Sequence, residues 1–358
     1  MGHEFIIRKI FYGLLVIAGV VTVVFFLFNI LPGDPARMML GQRADVSSIE
    51  NINRELGRDK SLAVQFALYA NDLSPVSIHK QVDPSSPWFA SEEKYGNYFT
   101  VFSGEKFAMV VKVPYLRRSY QTKQLVSEVI SDAMPGTIIL AVAALIFAAV
   151  FGIALGVLAA LKKNKLTDHL VSMLAVLGMA VPSFFAGIII AWIFGFVLAD
   201  YTGFNMTGSL YSIDPFDGYV LELRNLILPA FTLGIRPLSV IVQLTRSSML
   251  DVLSQDYIRT AKAKGLSKTV TVARHALRNA LNPVLTAVSG WFGSLLAGAV
   301  FIEYIFGWKG IGKVTVDSLE RYDFPVVMGA VLIVSIFFVL INILVDILYG
   351  VLDPRIRL

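Results

Sequence analysis

Six runs of mostly apolar residues, at 10–31, 137–161, 170–198, 226–250, 283–305 and 326–351, recur along this chain. Each is long enough to cross a hydrocarbon core of about 30 Å, which takes roughly 20 helical residues. Backbone groups in lipid must find partners within their own segment, so the pattern predicts six transmembrane helices. The first run continues into Leu31-Pro32-Gly33-Asp34-Pro35. It exceeds the roughly 7–15 apolar residues of a cleavable signal and reads as a retained helix.

The pattern divides the chain into an N-terminal helix (1–31), a polar stretch and amphipathic helix (32–135), a five-helix core (136–351) holding a loop at 251–282, and a short tail (352–358). Within 32–135, the spacing of Ile49, Ile52 and Leu56, and then of Val64, Phe66 and Leu68, predicts helix over 45–69. Pro75, Pro84, Pro87 and the aromatic-rich 95–107 suggest loops and short strands. At 119–134, Leu125, Val126, Val129 and Ile130 share one side while Lys123, Glu128 and Asp132 lie elsewhere. That segment is expected to lie along the membrane surface until Pro135 redirects the chain. In the second run, Gly152, Gly156 and Ala160 form a small-residue stripe suited to close helix approach. In the third, Ala180-Val181-Pro182-Ser183 predicts a proline kink, either a gate hinge or a packing feature.

Composition agrees with membrane insertion, since 56% of the 358 residues are hydrophobic and 16% charged, against about 25% charged in soluble domains. The net charge of +5 could suggest nucleic acid, but its placement points elsewhere. Arg8 and Lys9, then Lys162, Lys163 and Lys165, the cations from Arg246 to Arg278, and Arg355 with Arg357 all fall on one face of a six-span topology. The positive-inside rule makes that face, and both termini, cytoplasmic. The 32–135 stretch, with twelve Lys/Arg against twelve Asp/Glu, falls outside and is long enough to escape that rule. The chain has no cysteine, so it can form no disulfide.

Chemistry is sparse. Gly307-Trp308-Lys309-Gly310-Ile311-Gly312-Lys313-Val314 comes one residue short of a phosphate loop, because Val314 stands where Ser or Thr would hold Mg²⁺. A turn or re-entrant hairpin is the expected use of its glycines. His3, His79, His169 and His275 lack metal-ligand spacing, and no nucleophile–base arrangement suggests an enzyme. Ionisable residues inside spans are costly in lipid and therefore functional candidates. Glu303 and Asp346 read as interfacial, whereas Arg236, near mid-span, should face a partner helix or an aqueous path. A stand-alone channel or ion-coupled carrier would be expected to show polar rings or midplane carboxylates, which are missing. The segment 256–279 remains: alternating Ala261, Ala263 and Gly265 with Arg259, Lys262 and Lys264 predicts a short helix, a glycine break, and a second helix through Val270, Val272, Ala276 and Leu277. It is either a docking element for a soluble partner or a basic loop held to anionic lipid.

Tyr257-Ile258-Arg259-Thr260-Ala261-Lys262-Ala263-Lys264-Gly265 followed by His275-Ala276-Leu277-Arg278-Asn279 resembles the coupling (EAA) loop of ABC importer permeases. Leu31 to Pro35, Val181-Pro182-Ser183-Phe184, Leu244-Thr245-Arg246-Ser247-Ser248-Met249 and Leu352-Asp353-Pro354-Arg355 resemble the dipeptide/oligopeptide subfamily. Arg259 and Thr260 stand where the general motif has Glu-Ala. The resemblance implies an all-α integral membrane subunit of a type I importer in the bacterial cytoplasmic (inner) membrane, with six helices and a large extracytoplasmic insertion after the first. It implies a second, homologous permease, two cytoplasmic ATPases that bind ATP and Mg²⁺, an extracytoplasmic solute-binding protein, and no cofactor or catalysis in this chain. The cargo would be di- or oligopeptides or, alternatively, nickel chelates or other peptide-like solutes. Tyr257, Arg259, Thr260, Ala261, Lys264, Gly265, His275 and Asn279 would couple to the ATPase, and Pro182, Arg236 and Asn282 are pathway or gate candidates.

Overall fold

The computed structural model describes residues 3–30, 59–81, 83, 86–214 and 218–352. Five described helices are long and apolar enough to span a membrane: α1 (His3–Ile30), α4 (Val126–Leu161), α8 (Arg224–Leu253), the continuous run Lys268–Ile305, and α13 (Phe324–Leu352). Helices α5 (Leu166–Ala180) and α6 (Ser183–Trp192, extended by a π turn at Ile193–Val197) make a sixth if counted together, though they meet at 109°. Shorter elements are α2 (Leu62–Leu73), β1 (Val76–Lys80), α3 (Glu92–Tyr95), β2 (Phe99–Ser103), β3 (Phe107–Val111), α7 (Ala199–Thr202), and a β4–β5 hairpin (Tyr211–Asp214, Gly218–Leu221). In the Lys268–Ile305 run, α10 (Lys268–Val270) leads through a π turn (Thr271–Ala276) into α11 (Leu277–Ile305), and α12 (Ile311–Glu320) precedes α13.

Three expectations change. The 119–134 helix begins only at Val126 and runs unbroken past Pro135 to Leu161. Residues 119–123 form a turn instead, in which Ser119 Oγ accepts the Gln121 and Thr122 N–H groups at 3.2 and 2.9 Å. Pro135 removes one bond to the Ser131 carbonyl, but both residues are exposed, so the loss falls on the open side. At 36 residues α4 is about 54 Å long, more than a bilayer core requires. Second, the proline at 182 produces a corner rather than a kink. Val181 is pushed to extended backbone (φ −76°, ψ 128°), as steric conflict with a following proline ring demands, and the Pro182 carbonyl starts the next helix by accepting Ala186 N–H at 3.0 Å. Third, the helix expected after Gly265 is no separate loop element; it is the opening of the run that continues through Pro283 to Ile305. The expected helix at 45–69 lies outside the described residues up to 58; beyond them, helix occupies Leu62–Leu73.

The chain divides into two compact units. One comprises Phe11–Asp132 and Val314–Ile336. Its small lobe is an antiparallel sheet in the order β1-β3-β2, with Val76 opposite Val111 and Phe99 opposite the same residue. Val24 and Phe25 of α1 pack on Tyr69 of α2 and Met328 of α13. Beneath the sheet, Asp72 receives Lys94 Nζ at 2.9 Å and Tyr95 Oη at 2.7 Å, while Lys112 Nζ donates to the Asp72 carbonyl at 2.6 Å. Burial holds Lys112 down at about 8 and lifts the Tyr95 phenol well above its ordinary range, the latter reinforced by Asp72. His79 is fully buried against Ser77 and the Trp88 carbonyl.

The second unit comprises Met1–Ile10, Ala133–Lys313 and Phe337–Leu358. Here the small-residue stripe performs as its spacing predicts. A Cβ on Gly152 would stand 2.8 Å from Ile241, and one on Gly156 would stand 2.6 Å from Thr245 and 2.8 Å from the Val242 carbonyl. Helices α4 and α8 therefore cross backbone to backbone, a contact that only glycine permits. Ala148, Ile241 and Val284 cluster at that crossing, and Leu140, Ala144, Leu233, Leu295, Ala299 and Ile302 belong to a larger core cluster in the same unit. Asp346 pairs with Lys9 at 2.6 Å, both partly exposed.

Candidate coupling site

The last turns of α4 and α8 and the first turns of α11 converge on one apolar cluster: Ala160, Met249, Ile258, Ala276 and Ala280. Ile258 is supplied by a short helix, α9. Helix α9 spans Asp256–Ala263, between α8 and α10. Ile258 and Ala261, three residues apart and so on one face, are buried, while Tyr257, Arg259, Thr260, Lys262, Ala263 and Lys264 are exposed. Asp256 in the first turn and Lys262 in the last complement the helix dipole. An eight-residue helix is too short to be stable alone, so Ile258 holds it to the ends of the long helices.

Its end is sharply defined. Leu266 N–H reaches back to the Ala261 carbonyl at 3.3 Å and Gly265 N–H to the Lys262 carbonyl at 3.0 Å, the paired bonds of a Schellman motif. Gly265 closes that motif at φ +78°, a left-handed conformation that L-residues adopt at a cost. Ser267 then caps the next helix, its carbonyl accepting Thr271 N–H at 2.9 Å.

Sequence-distant members of the predicted set meet here. Asn279 Nδ2 donates to Tyr257 Oη at 2.8 Å and to the His275 carbonyl at 3.2 Å. Thr260 Oγ1 donates to the Asp256 carbonyl at 3.0 Å. Arg259 lies 3.6 Å from Asp256, but both side chains are more than four-fifths exposed, so that pair contributes little. Arg259, Lys262, Lys264, Lys268, Arg274 and Arg278 leave a basic, uncovered face. A neighbouring cleft of about 430 Å³ is lined by Leu253, Lys262, Leu266 and Lys268.

The pathway candidates are scattered. Pro182 sits exposed at the α5–α6 corner, Arg236 is exposed on α8, and Asn282 is exposed on α11. Among the described residues no hydrogen bond or ion pair joins the three.

Two anchors escaped the sequence reading. Glu303, expected at an interface, is completely buried. Its Oε2 accepts Gly312 N–H at 2.7 Å and Lys313 N–H at 3.2 Å, capping α12, and a Cβ on Gly310 would collide with the carboxylate. The glycine-rich near-phosphate loop is thus a turn wrapped round a protein carboxylate, fastened further by Trp308 Nε1 to the Gly136 carbonyl at 2.9 Å and Ile311 N–H to Thr137 at 2.8 Å. The other is Asp168, almost fully buried, whose two oxygens take Arg246 Nε and Nη2 at 2.5 and 2.8 Å. No local pattern announces a pair 78 residues apart.

Several helices long and apolar enough to span a membrane, three of which carry a short, basic, glycine-terminated helix at their ends, mark a multispan membrane protein. The chain belongs to the family of binding-protein-dependent transport system inner membrane components, which matches residues 152–358, while the corresponding N-terminal family matches residues 2–90. It is 38% identical to the di/tripeptide transport system permease protein DppB of Pseudomonas aeruginosa, across 99% of this chain and 98% of that protein. It is 36% identical to the probable D,D-dipeptide transport system permease protein DdpB of Escherichia coli (98% and 97%) and 36% identical to the glutathione transport system permease protein GsiC of Salmonella typhimurium (98% and 98%). A crystal structure of an amino acid ABC transporter with histidines aligns over 64% of this chain and 95% of that one, at TM-score 0.46 and 12% identity.

Proposed function

We propose that this permease moves short peptides inward across the cytoplasmic membrane by alternating access, and that α9 receives the force of ATP hydrolysis from a partner ATPase. The carrying observation is the seating of α9: Ile258 packs with Ala160 of α4, Met249 of α8 and Ala280 of α11, Ala261 is buried on the same face, and the basic outer face is uncovered. A rigid helix held by its inner face transmits displacement, whereas a solvated loop would absorb it. Peptide cargo is supported by the relatives, named for dipeptides, di/tripeptides and glutathione. The assembly would contain a second permease, two ATPases and a binding protein on the outer side, with both termini of this chain cytoplasmic. The lobe between α1 and α4 would be extracytoplasmic. ATP and Mg²⁺ would act in the ATPases; this chain would contribute motion. ATP and the loaded binding protein need only favour different packings of the same helices.

The chain lacks cysteine, so single cysteines can be placed without background. Lys264→Cys should crosslink to a cysteine in the ATPase within the assembled complex, and labelled dipeptide uptake into proteoliposomes should require both ATP and the binding protein. Arg236→Cys should react with a water-soluble maleimide if it lines the path. Uptake that proceeds with the ATPases omitted would overturn the assignment.

A further inference from the structure

Helices α5 and α8 run antiparallel and touch along their length. Arg246 forks onto Asp168, Gln243 Nε2 donates to the Ser172 carbonyl at 3.3 Å, and Gly178 admits Ser239 and Ile235 so closely that any Cβ there would collide. Two of these contacts are weak or merely steric. The third is a bidentate, charge-assisted pair, the strong kind. Asp168 also accepts Asn164 N–H at 2.9 Å, which fastens the α4–α5 turn, where Asn164 itself is held at φ +60°. Every oxygen of this buried carboxylate is engaged.

Position gives the pair its interest. Arg246 lies one helical turn before Met249, which is fully buried against Ile258 of α9. At the other end of α5, about 20 Å away by helical rise, stands the 109° corner at Val181–Pro182. Beyond the corner, Gly187 of α6 packs against Ile302 and Ile305 of α11 and Thr232 of α8. Displacement of α9 thus reaches the end of α8 through Met249, as it reaches the opening of the Lys268–Ile305 run through Ala276 and Ala280. Whether it continues into α5 and the corner depends on the two helices moving together.

We propose that Asp168 and Arg246 are positioning residues that lock α5 to α8 as one lever, carrying the movement of α9 to the corner at Pro182. This rests on the reading of α9 as the coupling helix. Without the fork, α8 would slide past α5, and ATP hydrolysis would continue while the corner stayed still.

The test uses the complete transporter, with its second permease, ATPases and binding protein, in proteoliposomes supplied with labelled dipeptide. Asp168→Asn removes the charge; Arg246→Lys keeps the charge but cannot fork. Each should lower peptide taken up per ATP hydrolysed by at least about fivefold, the lower end of ordinary coupling between sites. A structural role alone would reduce the amount of assembled complex and leave that ratio unchanged. A wild-type ratio in the surviving complex, whatever its yield, therefore overturns the lock. Gly265→Val is measured alongside: if it uncouples while the lock variants do not, the lock falls and α9 stands. If none of the three alters the ratio, the α9 reading falls and takes the lock with it.

Discussion

Gly265 offers the cleanest perturbation of α9, because conformation and packing separate there. A Cβ at this position meets nothing within 4 Å, while the backbone sits at φ +78°. The Cβ of a Val at 265 therefore meets no obstacle, and the expected effect is the cost of forcing an L-residue into the left-handed region, about 1–2 kcal/mol. That cost opposes the two bonds that end α9, from Leu266 and Gly265 to the Ala261 and Lys262 carbonyls. Converted at 1.4 kcal/mol per decade, it lowers occupancy of the seated helix about 5- to 30-fold relative to frayed forms. Asn, which tolerates this region by bonding locally, should cost much less. The assay is peptide uptake and ATP hydrolysis measured together in proteoliposomes. Gly265→Val should insert and assemble as wild type but transport several-fold less peptide per ATP, with Gly265→Asn in between. Equal ratios for wild type, Asn and Val would refute the argument that α9 must hold this geometry to work.

Three further outcomes follow from particular contacts. Gly156→Leu drives a side chain into Thr245 and the Val242 backbone, so the yield of monodisperse protein should collapse, whereas Leu in place of Gly290, which has open space around it, should be tolerated. Glu303→Ala leaves the Gly312 and Lys313 amides without their acceptor and should lower stability by about 1–3 kcal/mol, read as a drop in Tm; Glu303→Gln, which can still accept, should cost less. In the lobe, Lys112 titrates near 8 instead of its ordinary 10.5 because it is buried; between those values the unfolded lobe binds a proton that the folded lobe does not, so stability rises with pH across that window. Amide exchange at Ala108 and Val110, corrected for the chemical rate, should slow as pH rises, and Lys112→Met should abolish the trend.

Hydrophobic periodicity alone determined much of this protein. Runs of about twenty apolar residues have one stable form in lipid, so the long helices and the α4 glycine stripe were legible before any contact was known. The short α9 was legible too, since Gly265 at a helix end carries its own conformational signal. Pro135 and Pro182 show the limit. A proline states only which bond and which backbone region are lost, and the surroundings decide the result: α4 continues through one, while the chain turns by 109° at the other. Charge was less readable still. Glu303 looked like an interfacial residue, and Asp168 drew no notice, because a carboxylate's role is set by what approaches it. Gly312 and Lys313 amides approach one; the Arg246 fork approaches the other. Such partners lie up to 78 residues away, beyond any local pattern, and only the packing of α5 on α8 and the fold-back after α11 bring them within hydrogen-bonding range.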